Sequence, residues 1–282
     1  MKNFLTMEDM EQQSMKNNVK KQKEWKIFII THSEIIDEMY IHDKRFNNEN
    51  YCFLNVGAKE KLINEEKYSC IKQYELPGAL KLGKWWAESE GIYNVWRSGI
   101  YKNLDYIGFI HYDKELRLIK KNFLPWNNTN ITNRINNYLI DRPIAHISFE
   151  NHNIKNDYKQ HILADERFPN TLTGEGKNCY DYILDDYNAF FHTNYTIEEF
   201  LQKQYINLCS CFLIDYEHFD EMMRFWDWVV KSKKLEIFDT EHKYRLQGGL
   251  AERYFGVYLT YAYDDSLDLS LIHHYNDGLK DR

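Results

Sequence analysis

The sequence predicts a mixed α/β fold with a mostly parallel central sheet flanked by helices, and three patterns support that reading. Apolar runs of strand length end in polar turns near residues 31, 57 and 112. Stretches with helical spacing of apolar residues lie between and after them. The two patterns alternate, as a parallel sheet requires, because each return to a parallel strand needs a crossover. At 282 residues the chain is long enough to bury a substantial core.

Residues 1–24 are polar and rich in Met and Lys, and read as a flexible leader ahead of a single domain over 25–282. Residues 25–30 form the first strand, ending at Thr31-His32-Ser33, and 51–56 form a second, ending at Gly57-Ala58, with a helical segment expected between them. From 84 to 102, Trp85, Ile92, Val95, Trp96 and Ile100 recur at helical spacing and lead into the strand at 106. Residues 143–149 make another strand. The loop-rich stretch 150–178, with Pro169, Gly174 and Gly176, has the length of a lid or acceptor loop. Residues 205–214 read as one central strand in which Asn207 and Ser210 either face a ligand or satisfy neighbouring backbone. Phe219, Met222, Met223, Trp226, Val229 and Val230 mark the core face of a helix. Residues 247–261 read as a buried helix beginning after Gly248-Gly249.

Composition narrows the function. Aromatic residues make up 16% of the chain, including 22 Tyr, which exceeds the needs of a core and suits a sugar or nucleotide ligand. A coding bias toward A and T would enrich Tyr equally well. A net charge of -7 argues against non-specific nucleic-acid binding. The five cysteines are odd in number and form no C-x-x-C pair, which suits reduced thiols in the cytoplasm. No stretch approaches the roughly 18–20 apolar residues of a membrane span, and the N-terminus lacks the apolar core of a secretion signal. Neither a phosphate-binding Gly-x-x-x-x-Gly-Lys-Ser/Thr loop nor a Gly-x-Gly-x-x-Gly dinucleotide fingerprint occurs.

Tyr106-Ile107-Gly108-Phe109-Ile110-His111-Tyr112-Asp113 is the most informative segment. Side chains two apart on extended backbone share a face, so His111 and Asp113 can reach one ion or one phosphate, with Tyr112 on the other side. In open α/β sheets ligands bind beyond the carboxyl ends of the strands, where this pair falls if the sheet is parallel.

Taken in order, four blocks resemble a bacterial family of capsular and exopolysaccharide biosynthesis glycosyltransferases. They are Ile29-Ile30-Thr31-His32; Val56-Gly57-Ala58; Glu88-Ser89-Glu90 with Tyr93, Val95 and Trp96; and Tyr106 through Tyr112. The match covers about residues 26–118, and Leu250-Ala251-Glu252-Arg253 more loosely. The family follows its His-Tyr with two arginines, whereas Asp113 and Lys114 stand here. An arginine clamps a diphosphate directly; an aspartate repels it unless a divalent cation lies between. His111-Tyr112-Asp113 thereby resembles the Asp-x-Asp element of metal-dependent GT-A glycosyltransferases.

The resemblance implies a single GT-A-like domain that takes a nucleotide-diphosphate sugar, UDP-sugar favoured, and extends a polysaccharide or lipid-linked oligosaccharide acceptor. A cation, Mn2+ or Mg2+, would be held by His111, Asp113 and His273. Thr31, His32, Gly57, Lys114 and Lys280 would meet the donor nucleotide. Glu88, Asn207 and Ser210 would contact sugar. Glu252 is the chosen base, and a Glu252–Arg253 ion pair bracing its helix is the structural alternative. Lipid-linked acceptors and the leading lysines favour peripheral association with the cytoplasmic face of the inner membrane. The rival function is a non-catalytic carbohydrate-binding or assembly subunit of the same machinery.

Overall fold

The computed structural model describes residues 23–32, 35, 50–57, 65–83, 86, 88–118, 131–155, 159, 162, 179–235, 246–269 and 271–273. The helix expected between the first two strands, most of the 156–178 loop and Lys280 lie outside the described residues.

Strands β1 (Trp25–Thr31), β2 (Tyr51–Asn55) and β3 (Cys70–Lys72) lead to helix α1 (Glu88–Ser98) and strand β4 (Tyr106–His111). Strand β5 (Lys114–Leu118) and helix α2 (Ile131–Leu139) follow, then the short strands β6 (His146–Ser148) and β7 (Asn151–Asn153). Helices α3 (Cys179–Phe191) and α4 (Ile197–Phe200) precede strands β8 (Tyr205–Asn207) and β9 (Phe212–Asp215). Helices α5 (Tyr216–Lys231) and α6 (Leu246–Ala262), then strands β10 (Leu267–Asp268) and β11 (Leu271–His273), complete the described elements.

Seven strands form the central sheet in the order β10-β6-β9-β4-β1-β2-β3. All neighbours pair in parallel except β9, which runs against both β4 and β6. This is the expected mixed α/β architecture with a mostly parallel sheet. Its strands are apolar on both faces, as burial under helices on each side requires. Phe28, Ile30, Leu54, Ile107 and Phe109 face α1, α3, α5 and α6. Ile27, Ile29, Phe53 and Ile110 face α2 through Ile131, Ile135 and Leu139. Phe109 is wholly buried among Phe28, Phe212 and Phe219, with ring centroids 5.6–5.8 Å apart. Deleting such a ring costs about 3–5 kcal/mol.

Three sequence readings need correction. Residues 205–214 are two strands in different sheets: β8 pairs with β7, while β9 joins the central sheet. Cys209 and Ser210 turn the chain between them with φ of 55° and 49°, and the Asn207 amide fastens the turn by donating to the Cys211 carbonyl at 2.8 Å. Helix α6 begins at Leu246, so Gly248 and Gly249 lie inside its first turn rather than before it. Glu90, which sequence alone suggests is a solvated helix charge, is buried. Its carboxylate accepts hydrogen bonds from Gln73 Nε2 at 2.9 Å, the Tyr74 hydroxyl, and the backbone N–H groups of Leu82 at 2.5 Å and Gly83 at 2.7 Å. One turn on, Asn94 exchanges two hydrogen bonds with the Leu80 backbone. Helix α1 therefore clamps the 73–83 segment that leads into it.

Candidate functional site

The parallel strands β1, β2 and β4 deliver their last residues to one edge of the sheet. Register sets Ile30 beside His111 and Thr31 beside Asn55. Strand alternation puts His111 on the face of Ile107 and Phe109, under the helical layer, whereas Tyr112 packs with the opposite cluster. The turn after β4 is tied to β1 twice: Tyr112 N–H donates to the Ile30 carbonyl at 3.0 Å, and the His32 ring stands edge-on to Tyr112 at 5.0 Å. His111 Nε2 is buried and meets no hydrogen-bond partner among the described residues, and Asp113 Oδ1 is buried as well.

Gly57 completes this edge. A Cβ there would lie 2.1 Å from the His32 carbonyl oxygen, so only glycine lets the ends of β1 and β2 approach so closely. Its N–H donates to Asn55 Oδ1 at 2.9 Å. Asn55 is buried, and Tyr112 is the ring that joins the two strand ends; sequence reasoning gave neither a role at the site. The available signal for Asn55 was a polar residue closing an apolar run just before Val56-Gly57.

The other proposed residues fall in three places. Glu88 opens α1, whose N-terminal half lies against the end of β2, since Gly91 abuts Val56 and Leu54. It therefore shares the carboxyl edge. Ser210 is buried in the turn ahead of β9, two residues before Phe212, the partner of Phe109 on β4. The β11–β5 pairing brings His273 beside Lys114, directly after the Asp113 turn.

Glu252 lies in the second turn of α6, half-buried. That helix ends at the opposite edge of the sheet, where the Tyr263 hydroxyl donates to Asp215 at 2.8 Å, so its beginning lies toward the carboxyl edge. The neighbouring Arg253 is fully buried and donates to the Gly249 carbonyl at 2.7 Å. Asn207 lies beside the end of β6: it is buried, it donates to Ser148 Oγ at 2.6 Å, and it lines a cleft along the flank of α6.

Trp86 is packed edge-on against Trp226 at 5.8 Å, as a core residue. Asp186 is also structural, holding the Tyr254 hydroxyl at 2.7 Å and the Lys234 ammonium. Among the described residues no three His, Cys, Asp or Glu side chains converge as a metal site. The five cysteines are free thiols, and among the described residues no helix is long and apolar enough to cross a membrane.

The chain is similar to the apo structure of WbbM, a bifunctional glycosyltransferase, with a TM-score of 0.52 and 17% sequence identity. The similarity covers 88% of this chain and 44% of that one, so the chain spans less than half the length of that structure. No protein-family model matches the chain, and no curated protein sequence does. What the similarity shows is the fold, a mixed α/β, GT-A-like domain.

Proposed function

We propose that this protein is a glycosyltransferase that moves a sugar from a nucleotide-diphosphate donor, UDP-sugar favoured, to a capsular or surface polysaccharide acceptor. The observation that supports it most is the carboxyl edge of the sheet, where Thr31, His32 and Gly57 adjoin His111, Tyr112 and Asp113. In an open α/β sheet this edge is where a nucleotide is held.

Transfer requires the charge growing on the departing diphosphate to be neutralised and a proton to leave the acceptor hydroxyl. The residues at the edge suit both tasks. An imidazole and a carboxylate on one strand end would form a donor set for Mn2+ or Mg2+, with His273 as the proposed third member from β11. The buried, unpartnered Nε2 of His111 fits that role. A bound cation supplies Lewis-acid stabilisation of the diphosphate. Thr31, His32 and Gly57 contact the nucleotide, Lys114 and Lys280 meet phosphate oxygens, and Glu88, Asn207 and Ser210 contact sugar. Glu252 takes the acceptor proton in an inverting reaction. The protein acts in the cytoplasm, at the inner membrane where lipid-linked acceptors are presented.

Hydrolysis and transfer assays with UDP-, GDP- and CMP-sugars, with and without Mn2+, test this reading. Asp113→Asn is expected to lose at least a hundredfold of the metal-stimulated turnover while keeping its thermal midpoint; undiminished turnover rejects its role. Glu252→Gln is expected to lose a comparable factor in transfer, and full rate at every pH removes it as the base. Donor binding without any turnover would instead favour a carbohydrate-binding or assembly subunit.

A further inference from the structure

A cleft of about 240 Å³ runs along the C-terminal half of α6, between that helix, β8 and the start of β6. At about 30 Å³ per water it has the capacity of about eight waters, the scale of one hexose ring. The cleft is distinct from the strand ends that carry His111 and Asp113. Its wall begins at Asn207, close to the Cys209–Ser210 turn, and reaches Asp264 and Asp265 near the opposite edge of the sheet.

The lining selects a class of ligand. Its charges are mixed: Lys203 is set against Asp264 and Asp265, and Asp265 also faces Arg142 at 3.7 Å. A phosphate or nucleotide would find no concentrated positive charge there. Asn151, Gln204 and Thr260 present amide and hydroxyl groups, which suit a ligand rich in hydroxyls. Tyr205 adds a ring that is 42% exposed and fastened at its hydroxyl by Gln204 Nε2 at 2.9 Å. A held aromatic face with an open side is a surface on which a sugar ring stacks.

A second observation is independent of the lining composition. His146 forms part of the wall, is 6% exposed, and its Nε2 has no hydrogen-bond partner among the described residues. Burial holds its pKa down to about 3 against the opposing pull of Asp215, so the ring is neutral near pH 7. The neutral ring packs on that of Tyr263, 5.1 Å away, and both residues line the cleft.

We infer that this cleft is a carbohydrate subsite that seats one uncharged sugar ring, stacked on Tyr205 and hydrogen-bonded by the amide and hydroxyl groups around it. That the ring belongs to the acceptor chain rests on the proposed glycosyl transfer; that the cleft takes a sugar does not.

Saturation-transfer NMR on the full chain tests the subsite, with the methyl glycosides of glucose, galactose and N-acetylglucosamine as millimolar probes. At least one is expected to bind. Tyr205→Ala should weaken it at least tenfold, Tyr205→Phe, which keeps the ring, should retain it, and Asp113→Asn should leave it intact. No transfer to any of the three, or transfer that survives Tyr205→Ala and vanishes in Asp113→Asn, overturns the subsite. Nucleotide-sugar hydrolysis measured on the same preparation separates the two readings. Hydrolysis without glycoside binding rejects the subsite alone, whereas glycoside binding that Tyr205→Ala abolishes, without hydrolysis, rejects the catalytic reading and upholds the subsite.

Discussion

At Gly57 a missing methyl group decides how close two strand ends can come. Because the atom a Cβ would strike is the His32 backbone carbonyl, no side chain can swing away to accommodate it. Gly57→Ala is expected to cost about 2 kcal/mol or more in urea unfolding and to weaken donor binding, since β1 or β2 must shift at the edge. Glu90 is the other residue whose environment decides its role. It gathers four donors, two of them backbone N–H groups, and Glu90→Ala leaves all four without their acceptor. A loss of about 2–4 kcal/mol is expected from the same measurement. The two differ in how far sequence revealed them. Gly57 stood in a recognisable block at the end of an apolar run. Glu90 could not be read correctly, because its partners come from a segment whose path the helical pattern does not encode.

Among the elements, the junction of β9 and α5 concentrates ionisable groups. Asp215 caps α5 by accepting from His218 N–H at 3.1 Å, and it also meets the His218 ring at 2.7 Å and the Tyr263 hydroxyl. Burial pushes Asp215 up, but these hydrogen bonds outweigh it and hold its pKa below the ordinary value. The hydrogen bond to Asp215 raises that of His218 against burial. Asp215 therefore adds stability above its ordinary pKa, lost as pH falls through the lowered one. His218 adds stability below about 6.5, lost as pH rises through its raised value.

His146 has the opposite sign to His218. Its depressed pKa means the unfolded chain binds a proton that the native protein refuses, so stability falls as pH drops from 6.5 toward about 3. Between pH 7 and 5, the unmodified protein is expected to lose about 2 kcal/mol more than His146→Gln in urea unfolding. Equal losses would show that His146 does not couple folding to protons. The long elements here were legible: the apolar stripe of α5 and the strands β1, β2 and β4 follow from periodicity. The break between β8 and β9 was not. It depends on left-handed backbone at Cys209 and Ser210, neither of them the glycine that announces such a turn.

For the whole molecule, the site is assembled from distant segments. Strand ends near residues 31, 57 and 111 and the opening of α1 meet only when the central sheet has formed, and β11 reaches the Asp113 turn through a separate pairing with β5. Ligand binding at such an edge stabilises the entire fold: a nucleotide sugar at a hundred times its Kd adds about 2.7 kcal/mol. A rise in Tm of several degrees is expected with the correct donor and Mn2+, larger than with either alone. No rise with any nucleotide sugar counts against the proposed donor site. Sequence made the carboxyl-edge cluster legible because each strand end is a local pattern. The cleft beside α6 was beyond it, because its walls come from β6, β8 and the end of α6, and no short motif records that meeting.

The ribbon of β5 and β11 has a consequence for the order of events during synthesis. A growing polypeptide that has emerged past Leu118 holds a strand whose mate, Leu271–His273, the ribosome has yet to make. The turn carrying Asp113 thus gains this brace only after residues 119–270 have been translated, and a truncation before Leu271 would leave it without that support.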